Sequence, residues 1–227
     1  MKVYLCGQKH FGCEVLKLLL SRDEIAVIGV SAPPQSRGGE DRLWRLAGLH
    51  DIPRQIAGHL RASSLPADTD LIVAAHSWDF IGRRTRQASR LGAIGYHPSL
   101  LPLHRGRDAI RWAIRDRDKV TGGSVFWLND TVDGGPVAAR DWCFIRPGDT
   151  AESLWRNTLQ PMGLRLVTKA LDDIVAGRLV RIPQDHRIAT WEPSLDPPPL
   201  FRPELPELGN GGWSGYEVIC DEQGNPK

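Results

Sequence analysis

The sequence lacks paired cysteines, long hydrophobic runs, an excess of either charge and any internal repeat, and each absence removes a class of protein. Its four cysteines, Cys6, Cys13, Cys143 and Cys220, stand singly. Without CxxC spacing they indicate neither a zinc site nor a disulfide framework, so reduced thiols in a cytoplasmic protein are expected, with no metal. The opening MKVYLCGQKHFG holds only a short apolar run. That is too little for a signal-peptide core, and no segment approaches the roughly 18 apolar residues of a membrane helix, so no membrane association is expected. Net charge is +2, with basic residues spread among acidic ones. A nucleic-acid binder needs a basic stripe across a face. The short Arg83-Arg84-Thr85-Arg86 stretch reads as the solvated side of a helix.

What is present describes an ordinary water-soluble globular chain. The 227 residues are 41% apolar and 25% charged, enough for one substantial core and too few for two full-sized domains. Val3 to Cys6 is apolar and runs into Gly7, and Phe11 to Leu20 places Val15, Leu18 and Leu19 on one helical face. Unbroken apolar runs recur at Glu24 to Ser31, Asp70 to His76 and Gly92 to Tyr96, as in strands covered on both faces. This alternation predicts an α/β, Rossmann-like, mostly parallel sheet with helices on both faces. GGSVFWL and PVAARDWCFI then flank the turn Asn129 to Gly135 as a hairpin-like pair. Residues 33–40 read as a mobile loop. A long helix follows, with Asp149 and Glu152 in capping-box register, a kink at Pro161 and a stop at Gly177. The expected catalytic domain is 1–190. Residues 191–227 form a proline-rich tail, with six prolines in 193–206 and one strand-like run, Tyr216 to Cys220, that could add an edge strand.

Chemistry concentrates in GAIGYHPSLLPLHRG, which puts His97 at the carboxyl end of a parallel strand, where open α/β sheets bind ligands. Further on, NDTVDGGPV presents Asp133 in a turn whose glycines permit close backbone approach. An aspartate beside a histidine can hold the ring, favour its protonated form and place a water or an amine. Taken alone, a strand-end histidine and an Asp-Gly-Gly turn are equally compatible with purely structural roles.

Over most of its length the chain resembles the formyltransferase family that uses 10-formyltetrahydrofolate. It looks most like the hydrolase domain of 10-formyltetrahydrofolate dehydrogenase. The likeness rests on LCGQKHFGCEVL, YHPSLLPLHRG, VFWLNDTVDGGPV and RIPQ, in order and to about Trp191. It implies His97 and Asp133 as catalytic residues and a folate co-substrate. The asparagine that the family usually carries falls on Gly95, and that hydrolase domain also lacks it. Without a side-chain amide, the donor to the oxyanion would be the His97 imidazolium, a backbone N–H or a water above Gly95.

The resemblance further implies a pterin pocket at His76, Ser77, Trp78, Phe80 and Ile81, met by Leu128, Asn129, Asp130 and Val132. Leu100, Leu101 and Pro102 would wall the p-aminobenzoate side. Gly7, Gln8, Lys9 and His10 would face the acceptor. The glycine turn Gly7 to Gly12 is not GxGxxG, and the second strand ends without an acidic residue, which weighs against a nicotinamide dinucleotide.

Three functions fit these expectations: formyl transfer to a small-molecule amine, hydrolysis of 10-formyltetrahydrofolate to formate, and folate binding with little catalysis. The stretch after Trp191 is too short for an RNA-gripping barrel, which argues against transfer RNA as a partner. A homo-oligomer is compatible with everything in the sequence.

Overall fold

The computed structural model describes residues 1–36 and 39–195. Seven strands form one sheet: β1 (Lys2–Gly7), β2 (Ala26–Ala32), β3 (Arg54–Ile56), β4 (Leu71–Ala75), β5 (Ala93–His97), β6 (Val120–Trp127) and β7 (Val137–Phe144). Their spatial order is β7-β6-β5-β4-β1-β2-β3. The first five are mutually parallel, and β6 and β7 are added antiparallel at one edge. The order runs outward from β1 in one direction to β3 and from β4 in the other to β5. The crevice between β1 and β4 is therefore the topological switch point at which such sheets bind ligands.

Continuous apolar runs make the parallel strands because both faces are covered. Val3 and Leu5 of β1 and Leu71 and Val73 of β4 join one core with Phe11, Val15, Leu16 and Leu19 of α1 (Lys9–Leu20). Tyr4, Cys6 and Ile72 point to the opposite face and pack with Leu60, Leu65 and Ile81. Truncating a fully buried leucine such as Leu5 or Leu71 would cost about 2–5 kcal/mol. Leu16, rather than Leu18, completes the buried stripe of α1, since Leu18 is only half-buried.

Several local expectations are corrected. Gln35–Ser36 pairs antiparallel with Gly39–Glu40 where a loop was expected, because the two segments satisfy each other's backbone groups. Next comes α2 (Arg42–Leu49), capped by Asp41, whose carboxylate accepts from Leu43 N–H. Periodicity over so short a stretch gave no sign of it. The late helix is capped by Thr150, not Asp149: Thr150 and Ser153 close the box, while Asp149 accepts from Arg146 N–H and Ser153 Oγ. Pro161 lies in the first turn of the helix Gln160–Val175, straight after the π-helical turn Trp155–Leu159. The π-turn falls just where the proline ring leaves the ladder without an N–H, as expected of an irregularity at proline. The run Tyr216 to Cys220 lies outside the described residues. Among the described residues, no helix is long and apolar enough to cross a membrane.

The segment after the long helix returns across the face of the loop that follows β5. Trp191 and Glu192 pair in parallel with Arg105 and Gly106, and Thr190 N–H donates to the Pro102 carbonyl. Ser194 Oγ and Leu195 N–H both reach Asp108 Oδ2 at 3.0 Å. This strap matters because it holds the loop that carries much of the site.

Candidate active site

A cleft of about 850 Å³ opens over the carboxyl ends of β1, β4 and β5. This is the size of a small-molecule site. His97, the last residue of β5, forms part of its wall and is 7% exposed. Its Nε2 is 2.7 Å from the carbonyl oxygen of His104. A carbonyl only accepts, so Nε2 carries the proton and Nδ1 is the nitrogen left for chemistry. Nδ1 faces Asp133 Oδ2 at 3.6 Å. That is a close electrostatic contact, longer than a hydrogen bond.

Asp133 is held from three sides. Its φ of 46° lies in the left-handed region, a conformation that costs about 1–3 kcal/mol outside glycine. Its Oδ2 accepts from Gly106 N–H at 2.7 Å, which aims the carboxylate at His97. Gln184, from the RIPQ segment, donates to the carbonyls of Asp133 at 2.8 Å and Gly135 at 2.6 Å. Buried Arg105 in turn holds Gln184 Oε1 at 2.6 Å. Burial pulls the Arg105 guanidinium below its ordinary value, and the nearby Asp133 carboxylate opposes this. Gly135 is required, since a Cβ there would collide with the carbonyl oxygen of Trp127. Arg105 and Gln184 carry no catalytic pattern in the sequence, and RIPQ was visible only as part of the family likeness.

The other expected residues divide by placement. His76, Ser77, Trp78, Phe80, Ile81, Leu128, Asn129, Asp130 and Val132 line the cleft with Gln8 and Lys9. Trp78 and Phe80 are 65% and 86% exposed, so they stand at its mouth, while Ile81 is buried. Asp130 pairs with both Arg83 and Arg86, which hold its carboxyl below the usual range. The arginine stretch of α3 (Arg83–Gln87) is therefore tied to the β6–β7 turn, not merely solvated. Leu100, Leu101 and Pro102 do not line the cleft: Leu100 lies over Gly122, and Leu101 is buried with Phe126 and Val137. Gly7 and His10 are not on its wall either; Gly7 is buried and His10 is exposed near Glu14. Phe11, Tyr96 and Trp155, which no motif singled out, join as an aromatic cluster along one wall.

Two features bear on what can bind. Above Gly95 the space is filled: a Cβ would meet Leu128 Cδ1 at 3.0 Å, with Ala74 Cβ at 3.5 Å and Phe126 Cε1 at 3.6 Å. The amino end of α1 is also occupied, because the buried Asp41 carboxylate accepts from Lys9 N–H at 2.9 Å. Among the described residues, His104, Asp116 and Glu192 bring potential ligand atoms within 4.8 Å of one another. The ring of His104 already lies between Asp118 Oδ2 at 2.7 Å and Glu192 Oε1 at 3.2 Å.

Comparison with known proteins bears on the family and the fold. Residues 51–170 match the family model described as formyl transferase. The chain is 34% identical over 208 residues to mitochondrial 10-formyltetrahydrofolate dehydrogenase of Mus musculus, covering 85% of this chain and 22% of that protein. It thus spans about a fifth of the length of that relative. An N-formyltransferase from Helicobacter canadensis, in complex with folinic acid and dTDP-3-aminofucose, superposes with a TM-score of 0.70 at 15% identity, over 85% of this chain and 71% of that one. Phosphoribosylglycinamide formyltransferase from Bacillus halodurans gives 0.64 at 22% identity, over 78% and 96%. Since the family model alone covers more than half of the sequence, and its match includes His97, Asp133 and the strands that carry them, this chain belongs to the formyl transferase family.

Proposed function

We propose that this chain moves the formyl group of 10-formyltetrahydrofolate to water or to the amine of a small molecule, with His97 and Asp133 as the catalytic pair. The observation that carries the reading is the working nitrogen of His97, Nδ1, turned toward Asp133 Oδ2 at 3.6 Å on the wall of the cleft. A nucleophile attacks the formyl carbon, and the carbonyl oxygen takes up negative charge. His97, protonated at Nδ1, donates toward that oxygen. Asp133 stabilises the imidazolium and accepts the nucleophile's proton. The intermediate collapses as the bond from carbon to N10 breaks, and N10 takes the proton that Asp133 accepted from the nucleophile, which returns Asp133 to its carboxylate.

The folate is proposed to enter past Trp78 and Phe80, whose exposed rings leave apolar surface for a flat heterocycle to cover. Backbone groups of Leu128 to Val132 would meet its ring edge. The dehydrogenase relative and the folinic acid complex of the Helicobacter enzyme support a folate as the co-substrate.

Water is the second reading of the acceptor, favoured by Asp41. A helix amino terminus is a ready anion site. That of α1 faces its own buried carboxylate instead. An acceptor with a phosphate at this point would meet like charge, whereas water or an uncharged amine would not.

The test is incubation with 10-formyltetrahydrofolate alone, following tetrahydrofolate and formate. Release that disappears in His97→Ala and Asp133→Asn supports hydrolysis. Binding without release directs the search to amine acceptors. Failure to bind the folate overturns the reading.

A further inference from the structure

The nitrogen of His97 that performs chemistry is selected by its contact with the backbone of His104. His104 has φ 52°, in the left-handed region, and its carbonyl accepts from His97 Nε2 at 2.7 Å. A non-glycine residue is kept there only when its surroundings over-determine the conformation. His104 is 7% exposed, and its backbone N–H and ring Nε2 are both held. Its N–H donates to Thr190 Oγ1 at 2.7 Å. Its Nε2 lies 2.7 Å from Asp118 Oδ2, on the turn before β6. Its Nδ1 lies 3.2 Å from Glu192 Oε1, a contact without hydrogen-bond alignment.

Thr190 and Glu192 both belong to the strap, and the strap is fixed to the same loop by Arg105 N–H on the Thr190 carbonyl at 3.0 Å. We infer that His104 is a positioning residue: clamped between Asp118 and the strap residues Thr190 and Glu192, it turns its carbonyl onto His97 Nε2 and so reserves Nδ1 for the reacting centre. The inference deepens the function proposed above and rests on that reading for its catalytic consequence, but not for its structural one. A tautomer locked by a second group is how histidine roles are commonly set. If the clamp is lost, the His104 backbone can leave its strained conformation, Nε2 loses its acceptor and the ring is free to exchange tautomers or rotate.

The experiment is long-range ¹H–¹⁵N spectroscopy of the histidine-labelled 227-residue chain at pH 8, with His97→Gln to assign the signal. In the wild type, His97 is expected to show a protonated Nε2 and an unprotonated Nδ1. His104→Ala and Thr190→Val are expected to move it toward a tautomer mixture. They should also lower kcat on the order of 10- to 100-fold while KM for the folate changes less than about threefold. Glu192→Gln, which keeps the shape and one acceptor, should recover most of what Glu192→Ala loses. Thr190→Val removes a single hydroxyl, so it remains informative if His104→Ala fails to fold, and circular dichroism checks both. A neutral wild-type His97 that carries its proton on Nδ1 instead of Nε2, or tautomer signals unchanged in folded Thr190→Val and His104→Ala, would overturn the inference. A tautomer shift in a protein without formyl-transfer activity would uphold the clamp and count against the proposed function instead.

Discussion

Leu128 Cδ1 stands 3.0 Å from where a Cβ on Gly95 would be, so the two residues share one volume at the floor of the cleft. The position at which family members usually carry an asparagine is therefore not simply shortened to glycine. The apolar side chain of Leu128, just past the end of β6, lies against it. A side chain restored at position 95 would have to displace the end of Leu128.

Gly95→Asn alone is expected to destabilise the fold by about 1–3 kcal/mol through overpacking. Combining it with Leu128→Ala should recover more than half of that loss, because the smaller residue vacates the contested space. Urea denaturation of the two single variants and the double variant measures the coupling. Additive effects would show that the two positions do not compete.

His97 and Asp133 should behave as a unit. Each of His97→Ala and Asp133→Asn is expected to lower turnover of the formyl folate by about 100-fold or more. The double variant should lose little beyond the worse single, as for groups that act together. Folate binding, followed by fluorescence quenching of the tryptophans, should change only a few-fold in all three.

Gln184→Leu removes the donor to the carbonyls of Asp133 and Gly135 and the acceptor for Arg105. Leaving these buried partners unpaired should cost about 1–3 kcal/mol. The strained Asp133 turn should also loosen, so kcat is expected to fall more than KM rises. A variant with unchanged melting temperature and unchanged kcat would remove Gln184 from the support of the site.

Acid sensitivity is expected from Asp70, which accepts from Lys2 N–H at 2.7 Å and Arg90 Nε at 2.5 Å. These donors hold its carboxyl below the ordinary carboxylate range, the backbone bond first and Arg90 second. A depressed folded-state value means the unfolded chain binds the proton more readily. The stabilisation is thus complete above the ordinary value of about 3.9 and is lost as pH falls through the lower folded one. Asp70→Asn should lower stability on the order of 1 kcal/mol at pH 6 and flatten the decline between pH 4 and 2.5. Urea titrations across that range provide the check.

Much of this was legible in the chain itself. The runs of β1, β2, β4 and β5 are apolar without alternation because both faces of the sheet are covered, and that signal is local. The positions of His97 at a strand end and Asp133 in a glycine turn were equally readable. Leu100 to Pro102 were not, because which side of an irregular loop packs inward is decided by its neighbours. Leu101 is drawn behind the site by Phe126 and Val137. The cap at Thr150 in place of Asp149 is a competition between two adequate oxygens that only the local backbone resolves.

The sequence by itself determined the parallel sheet, His97 at the carboxyl end of one of its strands and Asp133 in a glycine turn, since each follows from a short-range pattern. Only the tertiary structure decided which nitrogen of His97 is free, what fills the space above Gly95 and what closes the amino end of α1. Those three depend on His104, Leu128 and Asp41 arriving from other segments of the chain, and no periodicity encodes a contact between residues that meet only after folding.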